Sequence, residues 1–257
     1  LPIASIKSPL AVQHTHPFII SMIFSSTKTN RNKRTPIIHG RVSLKNITFT
    51  YPGESEPVLK NLSLIIEPNE RIAIIGRSGS GKTTIMKLLV QLYTKYSGEI
   101  LIDNVNINTL EIKYLRQVVN YVNQQTVMHD IPIIENIQYG NNATEHDIRN
   151  VLKKYELMVV FADIPNGINA PAGIGGNNLS LGMQKCVVIL RGIFRKGSKV
   201  VIFDEPIAGL DPETAKKIMR LIHDYTQNQT VIMITHNQAI KQYVNYSVSL
   251  SDIQSDK

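Results

Sequence analysis

Apolar residues fall along this chain in short blocks whose period switches between two and about 3.6. Arg41 to Tyr51 alternates as a strand does, with a phase shift near Lys45-Asn46 that predicts a bulge. Pro52-Gly53 reads as a turn and Leu62 to Ile66 as a second strand. Glu67-Pro-Asn-Glu70 turns the chain into Arg71-Ile-Ala-Ile-Ile75, an unbroken apolar run expected of a buried strand. Lys82 to Val90 has helical spacing, Gly98 to Ile102 is strand-like up to a turn at Asp103-Asn104, and Val118 to Val122 is another buried strand. Thr144 followed three residues on by Asp147 is similar to a capping box, opening a helix through Ile148, Val151 and Leu152. A glycine-rich loop spans Gly173 to Asn178, and Ser180 then opens a helix to about Phe194. Lys199 to Phe203 predicts a strand, Asp211-Pro212 an N-cap and first turn for a helix to about Tyr225, and Thr230 to Thr235 the last strong strand. Strands alternating with helices predict an α/β fold with a mainly parallel sheet. There is no internal repeat, and residues 1–39 lack periodicity and read as a linker or tail.

Charge changes this picture only at the N-terminal end. The chain has 257 residues and a net charge of +8, yet no Asp or Glu precedes Glu54. Lys7, Lys28, Arg31, Lys33, Arg34, Arg41 and Lys45 carry nearly the whole excess, so no basic nucleic-acid face is indicated on the main domain. The basic segment has three readings: a solvated tail, a contact for anionic headgroups, or an organelle transit peptide. The chain begins with Leu1 rather than Met, which leaves room for a preceding portion. No apolar run approaches the roughly 18 residues that cross a bilayer, so a membrane role would need a partner or further chain. The single cysteine, Cys186, lies amid apolar helical residues and reads as a packed thiol.

The chemistry concentrates in Gly76-Arg77-Ser78-Gly79-Ser80-Gly81-Lys82-Thr83-Thr84, which fits the pattern G-x-x-x-x-G-K-[ST]. Glycines let backbone N–H groups approach phosphate oxygens, Lys82 supplies a cation for the β- and γ-phosphates, and Thr83 offers a hydroxyl to Mg²⁺. A strand before the loop and a helix after it are the context that separates this motif from a chance Gly/Ser turn. Val200-Val-Ile-Phe203 leads into Asp204-Glu205, two carboxylates at a strand end, where α/β proteins bind ligands. Asp204 suits Mg²⁺ and Glu205 suits a general base, whereas a helix-capping pair would explain only one of them. His236 ends the strand Thr230 to Thr235 and is placed to sense a γ-phosphate, although a lone strand-end His is more often structural. Gln124 and Tyr51, taken singly, mean little.

In this order, the positions resemble the nucleotide-binding domain of an ABC transporter over about residues 40–250. The resemblance implies a P-loop, RecA-like core with an N-terminal antiparallel β part and an inserted helical subdomain near residues 125–190. It implies that Tyr51 stacks on adenine, that Gln124 touches Mg²⁺ and the coupling helices, and that Asp211 belongs to the D-loop. Leu179-Ser-Leu-Gly-Met183 occupies the signature position, so that Ser180 and Gly182 would reach the partner's γ-phosphate. Glu205, His236 and Gln124 become the catalytic set, with ATP and Mg²⁺ as cofactors. The implied partners are a second ABC domain and a transmembrane domain, with no nucleic acid, which places the chain at the cytoplasmic face of a membrane or at an organelle membrane.

Tyr51-Pro-Gly, Tyr114-Leu-Arg116 and Glu135-Asn-Ile-Gln-Tyr-Gly140 are similar to exporter sequence, while Asp204 to Asp211 looks more like importer domains. The balance favours an exporter half. Leu181 and Met183 depart from the glycine and glutamine of the family signature, and Ile174 replaces an acidic residue usual before it. After His236 the family has a further strand pair, whereas this chain ends soon after Tyr246-Ser-Val-Ser-Leu250. Two alternatives to a transport ATPase follow: a regulatory subunit with a degenerate site, and a soluble ABC protein, which would bring tandem cassettes or a coiled coil.

Overall fold

The computed structural model describes residues 35–123 and 126–254. Two sheets organise it. The first is antiparallel, in the order β2-β1-β4-β5, from β1 (Val42–Phe49), β2 (Leu59–Ile66), β4 (Ser97–Ile102) and β5 (Val105–Asn106). The second is parallel, in the order β6-β7-β8-β3-β9, from β3 (Arg71–Ile75), β6 (Val119–Val122), β7 (Val200–Asp204), β8 (Thr230–Thr235) and β9 (Tyr246–Ser249). The helices are α1 (Lys82–Leu89), α2 (Ile112–Val118), α3 (Ile133–Gln138), α4 (Glu145–Lys154), α5 (Leu181–Ile193) and α6 (Pro212–Tyr225).

The central strands β3, β7 and β8 are covered on both faces, which is why they read as nearly continuous apolar runs. Ile72, Ile74, Ile202, Ile232 and Ile234 face a core shared with α1 and the antiparallel sheet. Ala73, Ile75, Val201, Phe203 and Met233 face a second core shared with α3, α4, α5 and α6. Cys186 lies fully inside that second core, and burial pushes its thiol up to about 12, so it packs as a small apolar group.

The bulge in β1 is present. Its register to both neighbours shifts after Leu44 or Lys45, and Asn46 takes φ 52°. The capping box is present too: Thr144 and Asp147 exchange side-chain to backbone hydrogen bonds at the start of α4. Asp103 and Asn104 both take positive φ in the turn joining β4 to β5. The Asp103 carboxylate accepts the backbone N–H groups of His39, Gly40 and Arg41, anchoring the approach to β1. At the other end, Ile253 O accepts from Ser63 N at 3.0 Å and Gln254 Oε1 from Lys60 N at 2.7 Å, along the edge of β2.

Four elements depart from the sequence expectations. Val118 closes α2 instead of opening a strand, and β2 begins three residues before its apolar core. Helix α3 is a single short segment after Pro132. Strand β9 supplies a fifth strand, pairing Ile72 with Tyr246 through Ile75 with Ser249, where the sequence suggested only a chain end.

Candidate functional site

All five strands of the second sheet run in one direction, so β3, β7 and β8 deliver their C-terminal residues to the same edge. That edge is where α/β sheets open a crevice. A cleft of about 880 Å³ lies there, bounded by Tyr51, the loop before α1, Asn123, Asp204, Glu205 and His236.

The loop Gly76 to Gly81 connects β3 to α1. Gly81 takes φ 100°, and a Cβ there would lie 2.9 Å from Leu59 Cδ2 and 3.0 Å from Val58 Cγ1, so only glycine fits. The Lys82 ammonium donates to Gly76 O at 2.8 Å and to Arg77 O at 2.7 Å, curling the loop around its own cation. Burial lowers its pKa, and the nearby Glu205 and Asp204 oppose that shift. The Ser80 hydroxyl is buried and has no hydrogen-bond partner among the described residues. A buried unsatisfied hydroxyl inside a curl of backbone N–H groups at a helix N-terminus fits a phosphate oxygen.

Strand β7 ends at Asp204. Its Oδ2 accepts from the Tyr121 hydroxyl at 2.8 Å and lies 3.5 Å from the Thr83 hydroxyl. Burial raises the Asp204 pKa; the Tyr121 hydrogen bond acts against this, and Glu205 adds to it. Glu205 itself takes φ 51°, a left-handed conformation unusual for a glutamate and here directly before Pro206. The strained backbone aims the carboxylate at the end of β8. There Glu205 Oε2 accepts the Thr235 hydroxyl at 2.8 Å, and Oε1 accepts the His236 backbone N–H at 3.0 Å and meets His236 Nδ1 at 2.7 Å. The Glu205 side chain is 17% exposed and that of His236 63%. The Glu205 carboxylate is therefore sheltered while His236 faces the cleft.

Tyr51 forms the far wall. Phe49 and Tyr93 both pack edge-on against its ring, at centroid distances of 5.0 and 5.3 Å. Its hydroxyl lies 2.8 Å from Thr84 Oγ1, and Lys87 Nζ sits 5.7 Å from the ring.

Thr83 Oγ1 and Asp204 Oδ2 offer hard oxygen donors at one point of the cleft. Among the described residues no group of three or more His, Cys, Asp or Glu side chains gathers around a metal position. Mg²⁺ needs no such cage, because it uses one or two protein oxygens together with phosphate oxygens and water. The donor set fits it.

The structure thus brings Gly76 to Thr84, Tyr51, Asp204, Glu205 and His236 together. Gln124 lies outside the described residues. Ser180 and Gly182 are not among the residues lining the cleft. Ser180 caps α5 by accepting from Met183 N at 3.2 Å, and Leu181, next to it, is 74% exposed. Asp211 caps α6, accepting from Thr214 N at 2.9 Å, and those hydrogen bonds hold its carboxyl below the usual range. Sequence reasoning missed Tyr121 and the pairing of Tyr51 with Thr84. The only signal for Tyr121 was a polar-tipped aromatic in a short buried strand beside the one ending in Asp204.

Comparison with known proteins agrees with this geometry. The family model described as ABC transporter matches residues 59–208, and a model described as an AAA domain matches residues 177–240. The ATP-dependent lipid A-core flippase of Saccharophagus degradans is 36% identical over 198 residues, covering 77% of this chain and 33% of the relative. The flippase of the same name from Acinetobacter baylyi is 34% identical over 220 residues, covering 85% and 38%. The chain spans little more than a third of the length of these curated relatives. The structure of a bacterial Atm1-family ABC exporter with ATP bound superposes with a TM-score of 0.81 at 26% identity, over 93% of this chain and 42% of that one.

Proposed function

The chain belongs to the ABC transporter family, and we propose that it is the ATP-binding and ATP-hydrolysing domain of an exporter. The observation that carries the reading is one cleft holding a P-loop ammonium, a strand-end Asp204 and a Glu205 braced by His236. The flippase relatives and the exporter structure support outward transport over import.

The residues divide the work. Tyr51 offers an aromatic face for the base. Lys82 exchanges its two loop carbonyls for the β- and γ-phosphates, and Ser80 with the loop N–H groups takes phosphate oxygens. Thr83 and Asp204 would hold Mg²⁺, which would neutralise phosphate charge when bound. Glu205 takes a proton from the attacking water, and His236 keeps that carboxylate aimed at the cleft. Gln124 would complete the metal and coupling contacts.

Ser180 and Gly182 stand away from this chain's own cleft, which supports a head-to-tail pair in which each domain closes its partner's site. Among the described residues no helix is long and apolar enough to cross a membrane; the likeness to an ABC exporter supports a transport stroke passed to a transmembrane domain. That partner would hold the chain at the membrane surface.

Replacing Lys82 with alanine tests the reading. Fluorescent-ATP binding should weaken and phosphate release should cease, because the triphosphate loses its main cation. Unchanged turnover would exclude this loop as the active site.

A further inference from the structure

Asp204 is not held by Thr83 alone. Strands β6 and β7 pair in parallel register, with Tyr121 opposite Ile202, two residues before Asp204. From there the Tyr121 side chain reaches forward along the sheet edge. Its ring lines a separate cavity of about 260 Å³ together with Arg191 and Arg195, and its hydroxyl donates to Asp204 Oδ2 at 2.8 Å. Thr83 approaches the same oxygen at 3.5 Å from the side of the cleft. One carboxylate oxygen therefore faces two hydroxyl groups, and the shorter contact belongs to a residue outside the phosphate loop.

A phenol hydroxyl bonded to a carboxylate oxygen is the donor of that bond, and Tyr121 donates here to Asp204 Oδ2. A neutral donor on a carboxylate makes a strong, charge-assisted bond. Its proton sits on the oxygen that a divalent cation would otherwise claim.

We propose that Tyr121 is a positioning residue of the cation site, one that competes with the divalent cation for Asp204 Oδ2. The inference rests on the nucleotide reading given above. The phenol fixes the carboxylate beside Thr83 and blunts its attraction for a bare cation. The cation then binds well only when nucleotide phosphates supply further ligands. Cation and nucleotide enter together, and the nucleotide-free cleft does not fill with metal alone.

The test uses the whole chain, with Mn²⁺ followed by electron paramagnetic resonance in the absence of nucleotide. Tyr121→Phe keeps the ring and removes the competing proton. It should bind Mn²⁺ about tenfold more tightly than the unchanged chain, the scale of one lost charge-assisted hydrogen bond. Tyr121→Leu, which also removes the hydroxyl, should move the affinity the same way. In an Asp204→Asn background the difference between tyrosine and phenylalanine should disappear. Equal or weaker Mn²⁺ binding by both variants, binding by no chain, or a difference that survives Asp204→Asn would overturn the proposal. Metal-free binding of fluorescent ATP separates the two readings: it should be lost in Lys82→Ala and kept in Tyr121→Phe. Retention in Lys82→Ala would defeat the nucleotide site itself and not the role of Tyr121.

Discussion

Tyr51 shows how one residue can carry two arguments. The proposed stacking role would need only the ring, which Phe49 and Tyr93 hold from the side. The structure adds a hydroxyl bond to Thr84 Oγ1 that the sequence does not announce. Tyr51→Ala should therefore raise the ATP dissociation constant strongly, while Tyr51→Phe should raise it little, since two aromatic neighbours still fix the ring. Titration with fluorescent ATP checks this, and equal losses from both changes would give the role to the hydroxyl. Asp204 supports a second prediction. Its pKa is raised by burial, so the folded state binds a proton more readily than the unfolded chain does. Its contribution to stability is then full below the ordinary carboxyl range and is lost as pH rises through its raised folded value. At neutral pH Asp204→Asn should raise the melting temperature of the nucleotide-free protein, and the gain should vanish in acid. Thermal unfolding at the two pH values measures it; a lower neutral melting temperature would show that the carboxylate is well compensated in place. Such a gain would mark Asp204 as a residue kept for chemistry at the expense of stability.

Element by element, the sequence was legible where a pattern was long or where chemistry was local. The capping box at Thr144, the cap at Asp211-Pro212 and the phosphate loop each depend on residues within a few positions of one another. The apolar runs of β3, β7 and β8 follow from burial on both faces. Helix α3 and strands β5 and β9 are two to six residues long, too short for a period to show. β9 is half-exposed along its length and owes its existence to the open edge of β3. Tyr121 and Asp204 are 83 positions apart, and only the β6–β7 register makes them neighbours. The bulge lies between these cases. Its phase shift is visible in sequence, but its packing is not. Gly98 takes φ 90° directly beside it, and a Cβ there would stand 2.3 Å from Lys45 O and 2.5 Å from Asn46 O. Both contacts are backbone, so they cannot yield as a side chain would. Gly98→Ala should destabilise the fold by about 2 to 3 kcal/mol, the cost of a strained backbone with a clash. Urea unfolding measures this, and a loss below about 0.5 kcal/mol, the level of an ordinary surface change, would show that β1 and β4 can part there.

At the scale of the whole molecule, two cores and two sheets position one edge of parallel strands, and the candidate site residues lie along that edge. The resemblance stated from sequence, to an ABC domain of exporter type, agrees with the family match and with the exporter superposition. The proposed pairing of two domains is supported by what the cleft lacks, since Ser180 and Gly182 do not line it. The proposed hydrolysis turns on Glu205, whose left-handed backbone and three hydrogen bonds hold its carboxylate at the end of β8. Phosphate release from ATP by Glu205→Gln, beside the unchanged chain and with nucleotide binding checked in both, is the decisive measurement. The account predicts intact binding and turnover slower by at least about a hundredfold, the usual scale for a lost general base. Turnover equal to that of the unchanged chain would contradict it and remove Glu205 from the chemistry.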